Sequence, residues 1–417
     1  MDKLDALIDI EKCAKDTNRL IWGVVIYCIS YLIGTLEIQP DWLLFIRLFQ
    51  GIGLLLFAMA LIGSARFSTI SDRYFKIVFI LLMGWHCFVI LSNFTVSSTF
   101  IKTYLREPYY FLHFFVPLVI LLPANFFADY FSRWSFRLVI LFFILFIPFS
   151  YWIFGYQTFS EQYVWVLGVG GGFIILNYIY FSAKIRILSF IVVILSLFIC
   201  TYMARRNIML TFSGYLFATG CLYFAFTSLS DIIKKIMLCL LLIIMLIGGY
   251  LFFLSVQDTV FSDISDRALV NSREDIFLSY FEDMSERDWI IGKGMDGTYY
   301  APTVDEESPF GTDEDYRFLI EGGYLQVILK GGVINVLLFL LIALPAIKKG
   351  LFHSNNLFTK SSAMLIILWL VDMFPWGMPA FDLRYMLFWF SIGVCYNSEL
   401  RSFSDAEIKE YCFPWFN

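Results

Sequence analysis

Charge is scarce in this chain: Asp, Glu, Lys and Arg make up 16% of its 417 residues, while 59% are hydrophobic. With a mean hydropathy of +0.74, such a chain cannot wrap itself in a polar surface. That excludes a water-soluble globule and leaves a polytopic membrane protein. Histidine is scarcer still; His86, His113 and His353 stand at no ligand spacing from one another, which removes the usual zinc patterns. Six of the eight cysteines fall in apolar segments and two, Cys13 and Cys412, in the terminal arms. The longest polar segment has none, so no disulfide framework or cysteine metal site is implied there. No internal repeat or low-complexity linker is visible, and the first apolar segment lacks a small-residue cleavage site behind it, so it reads as a retained helix. A net charge of −5 gives no support for nucleic-acid binding.

What is present is apolar runs of spanning length. They lie at about 20–36, 42–64, 74–92, 109–128, 135–154, 162–181, 185–203, 208–227, 235–256, 324–347, 359–377 and 382–397. Twelve transmembrane helices in a single integral membrane domain, 1–417, are expected, all-α. Lys and Arg gather in alternate connections, among them Arg66, Arg73 and Lys76; Arg133 and Arg137; Lys184 and Arg186; Lys348, Lys349 and Lys360. The intervening connections 37–41 and 155–161 carry none. The positive-inside rule then places both termini in the cytoplasm and segment 257–320, between helices 9 and 10, outside. The Met1–Arg19 arm has the pattern of a short amphipathic helix lying on the membrane, or of a solvated tail.

Segment 257–320 holds sixteen acidic residues with Arg267, Arg273, Arg287, Lys293 and Arg317 scattered among them. Ser272–Phe281 reads as an amphipathic helix with Ser272 as N-cap. Gly292-Lys293-Gly294 breaks the chain into a turn, and 299–315 has loop composition. The acid clusters at 305–307 and 313–315 lack the ordered spacing of a calcium loop. Arg205 and Arg206 form a short outer turn against the charge bias. Guanidinium groups fork onto phosphate oxygens, so these two, with Arg273 and Arg267, are candidates for a diphosphate; lipid anchoring or surface ion pairing is the plainer alternative. Glu321 is a carboxylate placed to accept a proton where the loop meets the next helix, and Gly322 and Gly323 beside it leave room for a bulky ligand. A helix-terminal acid is its plainer reading. Tyr299, Tyr300, Tyr316 and Tyr324 are candidates for stacking on sugars. Arg47, His86, His113, Asp372 and Arg384 are intramembrane polar residues that would line a cavity beneath the loop or pair within the bundle, and Lys330 is expected to face the protein or snorkel outward.

This order of features resembles the O-antigen polymerase and O-antigen ligase superfamily of bacterial envelope glycosyltransferases. The resemblance runs from Met203-Ala204-Arg205-Arg206-Asn207 through Ser272-Arg273-Glu274-Asp275-Ile276-Phe277 and Ile291-Gly292-Lys293-Gly294 to Glu321-Gly322-Gly323-Tyr324-Leu325 and Lys330-Gly331-Gly332. It implies a GT-C-like bundle in the bacterial inner membrane that joins undecaprenyl-diphosphate-linked repeat units by inverting transfer, with neither metal nor other cofactor. Arg205, Arg206, Arg273 and Arg267 would hold the diphosphate, Arg273 and Glu321 would be catalytic, and Tyr324, Tyr299, Tyr300, Gly322 and Gly323 would contact substrate. The implied partners are the lipid-linked donor and acceptor, the bilayer, a chain-length regulator and a flippase. Ligases of this family usually carry His, often followed by Asn, where this chain has Glu321 and Gly322, which favours a polymerase. A ligase, or a transporter with discontinuous helices, is the alternative.

Overall fold

The computed structural model describes residues 3–36, 40–66, 70–92, 107–203, 205–226, 272–301 and 315–416. Arg267 and the expected span 235–256 lie outside these residues, and Arg206 and Arg273 are described in backbone only. The chain begins with α1 (Lys3–Gly34), α2 (Pro40–Ser64) and α3 (Arg73–Ser92). The arm, read either as a helix on the membrane or as a solvated tail, is the start of α1: Asp16 and Thr17 are buried, and Ser64 at the end of α2 donates to Asp16 at 2.6 Å.

The expected helix 109–128 is a 3₁₀ segment, Leu112–Leu121, followed by α4 (Ala124–Phe146). Pro117 has no N–H to give, and Pro123 holds an extended ψ of 122° at the α4 N-cap, so a continuous α-helix cannot form across them. Arg133 and Arg137 therefore lie within α4 and not in a connection. Arg133 pairs with Asp129 one turn away at 2.6 Å. Next come α5 (Ser150–Gly155), α6 (Gln157–Tyr163), a π-helical turn Val164–Gly168, α7 (Val169–Leu176), α8 (Ala183–Tyr202) and α9 (Arg206–Phe226). Every residue from Val164 to Leu176 is buried, as expected of a helix apolar on all sides.

The loop contributes α10 (Ser272–Asp283), α11 (Glu286–Ile291) and a hairpin ladder of β1 (Tyr299–Tyr300) on β2 (Tyr316–Arg317), where only loop was expected. The last helices are α12 (Gly323–Phe352), α13 (Leu357–Asp372), α14 (Leu383–Tyr396), α15 (Ser398–Ser402) and α16 (Asp405–Cys412). Nearly every residue of α14 is buried, which makes it the central rod of the bundle. Apolar side chains such as Leu44, Leu48, Leu55 and Ile62 on α2, and Ile187, Phe190 and Phe198 on α8, point outward. Lipid is the solvent that suits such faces.

Among the described residues seven helices, not twelve, are long and apolar enough to cross a membrane, with Leu112–Leu121 and Leu383–Tyr396 as shorter apolar helices. The protein is an all-α polytopic membrane protein. Its contacts sort the connections into two ends. At one, Asp72 pairs with Lys349 at 2.7 Å, the Arg66 N–H donates to Leu121 O, and Tyr180 donates to Asp405. At the other, Arg205 pairs with Glu161, Tyr31 approaches Glu107, and Phe381 N–H donates to Pro108 O. We call these the basic end and the loop end.

Candidate functional site

At the loop end the chain breaks its own helix to seat the loop. Gly332 has φ 68° and ψ −178°, so α12 is interrupted there. Such backbone is open to glycine alone at low cost, and a Cβ would lie 2.0 Å from Ile290 O. The carbonyls near the break are taken by the loop and α3: Lys293 N–H donates to Leu329 O at 2.7 Å, Gly294 N–H to Lys330 O at 3.0 Å, and Trp85 Nε1 to Gly331 O at 2.8 Å. The Gly-Lys-Gly turn is therefore a plug for a broken helix. Lys330 faces the protein, donating to Gly297 O at 2.7 Å with its ammonium over the Tyr110 ring.

The plug positions the rest of the loop. Tyr280 of α10 donates to Leu325 O, and Tyr299 to Leu319 O, so α10 and the hairpin clamp the segment that carries Glu321. Gln326 closes the clamp by accepting from Ile320 N–H and donating to Phe318 O. Tyr299 is fully buried and packs edge-on against Tyr280, which removes it from the surfaces able to stack on a sugar. Its phenol is pushed up to about 12, first by burial, with Glu321 adding to the effect and Arg317 opposing it. Glu321 and Arg317 thus act in opposite directions on one group. Tyr300 remains exposed and meets Tyr316 at 5.4 Å across the ladder. Tyr324 instead anchors α12, donating to Leu370 O and resting on Phe374. The two glycines also have structural work: Gly322 has φ 143°, and a Cβ on Gly323 would stand 2.5 Å from Gly377 O. The room beside Gly323 is filled by the chain's own backbone and not left for a ligand.

Arg205 is held at 3.3 Å from Glu161, and its Nε makes no hydrogen bond. Nearby, Arg384 of α14 lies 3.5 Å from Asp372 and 3.2 Å from Asp382, with its guanidinium carbon 3.2 Å from the centre of the Trp165 ring. Thr211 of α9 donates to Asp372 at 3.1 Å. Tyr109 is within electrostatic reach of Glu161, Arg384 and Asp382. It lines a cavity of ≈ 20 Å³ with Tyr27, Tyr31, Gln162, Trp165 and Arg384. The next residue, Tyr110, stacks on Phe318 at 4.5 Å, three positions before Glu321. Segment 107–111 therefore joins the arginine cluster to the Glu321 clamp.

The five intramembrane residues divide. Asp372 and Arg384 form the ion pair just described, His86 and His113 line a separate small cavity with Lys330, Gln326 and Asn335, and Arg47 lies exposed on α2. Sequence reasoning did not single out Glu161 or Trp165; a lone acid in the connection 155–161, on the same side as the arginine turn, was the available signal. No family model, curated protein or solved structure matches this chain.

Proposed function

We propose that the protein is a polysaccharide polymerase of the O-antigen type, joining lipid-diphosphate-linked repeat units at the outer face of a bacterial inner membrane. The observation that carries the reading is the pair Tyr109 and Tyr110, of which the first lines a cavity with Arg384 and the second stacks on Phe318 of the Glu321 clamp. An acceptor hydroxyl attacks the anomeric carbon, its proton passes to Glu321, and the bond from that carbon to the diphosphate oxygen breaks with inversion. Arg205, joined by Arg206 and Arg273, meets the charge developing on the leaving diphosphate. A cavity of ≈ 20 Å³ is water-sized, so this site has to open to admit a lipid-linked sugar.

The break in α12 is the observation that favours a transporter, since discontinuous helices expose carbonyls to coupling ions. Here those carbonyls are spent on Lys293, Gly294 and Trp85, which returns the balance to a transferase. The test is Glu321→Gln in purified protein supplied with lipid-linked repeat units. Turnover should fall by about two to four orders of magnitude with substrate still bound. Near-normal polymerisation by the folded variant rejects the role.

A further inference from the structure

Beneath the plug, His86 of α3, His113 of the 3₁₀ segment and Gln326, Lys330 and Asn335 of α12 line one cavity of ≈ 20 Å³. All five are more than nine-tenths buried. The remaining walls are apolar or aromatic, and no Asp or Glu lines the space. A buried ammonium is ordinarily matched by a carboxylate, because a charge taken out of water without a counter-charge is costly. Lys330 has one hydrogen bond, to Gly297 O, and the face of the Tyr110 ring at 5.8 Å, but no ion pair among the described residues. Asp296, the acid that acts on it through space, forms no ion pair with it and lies outside the cavity lining.

His113 is a second unmet group: the Tyr109 and Tyr110 carbonyls are within reach of its ring, but its Nδ1 makes no hydrogen bond. His86 is already held by Phe114 O at 3.3 Å and by the Asn335 side chain, and Gln326 by the clamp. What borders the space is therefore an ammonium, an imidazole and the second N–H of the Asn335 amide. Lys330 precedes the break at Gly332 and Asn335 follows it, so these donors come from both halves of α12 and from the 3₁₀ segment.

We propose that this cavity is a halide site, in which one chloride-sized monovalent anion sits among Lys330, His113 and Asn335. The anion completes the charge of the buried ammonium and ties the two halves of α12 together. A water fills the volume but leaves the ammonium uncompensated, a cation is repelled by it, and a sulfate or phosphate exceeds a space of one water.

The experiment is thermal unfolding of the full chain in detergent at fixed pH and ionic strength, in sodium chloride, sodium bromide or sodium gluconate, whose anion is too large to enter. Either halide should raise the midpoint over gluconate by about 3 °C when ~100-fold above its dissociation constant. Lys330→Met and His113→Phe should each reduce that difference to zero, which cancels general salt effects because both anions are compared in the same variant. Lys330 also holds Gly297, so His113→Phe decides if Lys330→Met does not fold. Anomalous scattering from bromide in crystals of the unaltered protein should place the ion beside Lys330. Equal midpoints in halide and gluconate, an undiminished difference in folded His113→Phe, or bromide found only at the surface overturns the proposal and leaves a water in the cavity.

Discussion

Gly332→Ala is the perturbation that most directly examines how the loop is held. The new Cβ would lie 2.0 Å from Ile290 O and 2.5 Å from Ile291 N, both backbone atoms of α11 that no side-chain rotation can move aside. At φ 68° and ψ −178° an alanine also pays ~1–3 kcal/mol of backbone strain. The simplest relief is for α11 and its turn to lift away from α12. Lifting breaks the bonds from Lys293 and Gly294 to Leu329 and Lys330, and that of Lys330 to Gly297. Three bonds at ~0.5–1.5 kcal/mol each come to about 1.5–4.5 kcal/mol. At about 1.4 kcal/mol per decade, local opening becomes roughly one to three orders of magnitude more frequent. Hydrogen exchange at the Lys293 and Gly294 amides reads this directly. Gly84→Ala on α3 serves as the control, because nothing stands within 4 Å of its added Cβ. If these two amides exchange at the wild-type rate in a folded Gly332→Ala protein, the plug does not depend on the break.

Arg205→Lys keeps the charge but loses the planar fork, so polymer formation should drop at equal expression; unchanged product length and yield would make Arg205 a partner of Glu161 and nothing more. Arg384→Met leaves Asp372 buried opposite no cation and should cost about 3–5 kcal/mol in unfolding measurements, part of which the added Asp372→Asn recovers; equal loss in single and double variants would contradict the pairing. Burial raises the Asp72 carboxyl, but the Lys349 bond and charge and the Phe75 N–H outweigh it and hold its pKa below the ordinary value. The stability it contributes is full above the unfolded carboxyl value of about 3.9 and disappears as pH falls through the folded one, so Lys349→Met should flatten the acid side of a denaturation profile. Single cysteines placed in the two termini and in 348–360 should label from the cytoplasmic side and those in 257–320 from outside; outer labelling of the termini reverses the topology.

Sequence alone determined the class of this protein, because so little charge cannot cover so much apolar surface in water. It also located α10 from its apolar spacing, a signal carried by neighbouring residues, with Ser272, expected as its N-cap, standing as its first residue. The interruption of the expected helix was legible in Pro117, inside the 3₁₀ segment, and Pro123, just past it, but was overridden by a count of apolar residues, which does not register a missing N–H. Tertiary structure decided the rest. Whether Gly323 opens space or closes it depends on Gly377, more than fifty residues away in sequence. The Gly-Lys-Gly turn acquires its partner only when α12 breaks at Gly332. Arg384 meets Asp372, Asp382 and Trp165 because three separate helical regions converge, and Tyr109 and Tyr110 join two clusters because the chain passes between them. Local pattern reports which groups a segment carries; which groups they face is set by packing, and in a membrane that packing must also satisfy every backbone bond that water is not there to make.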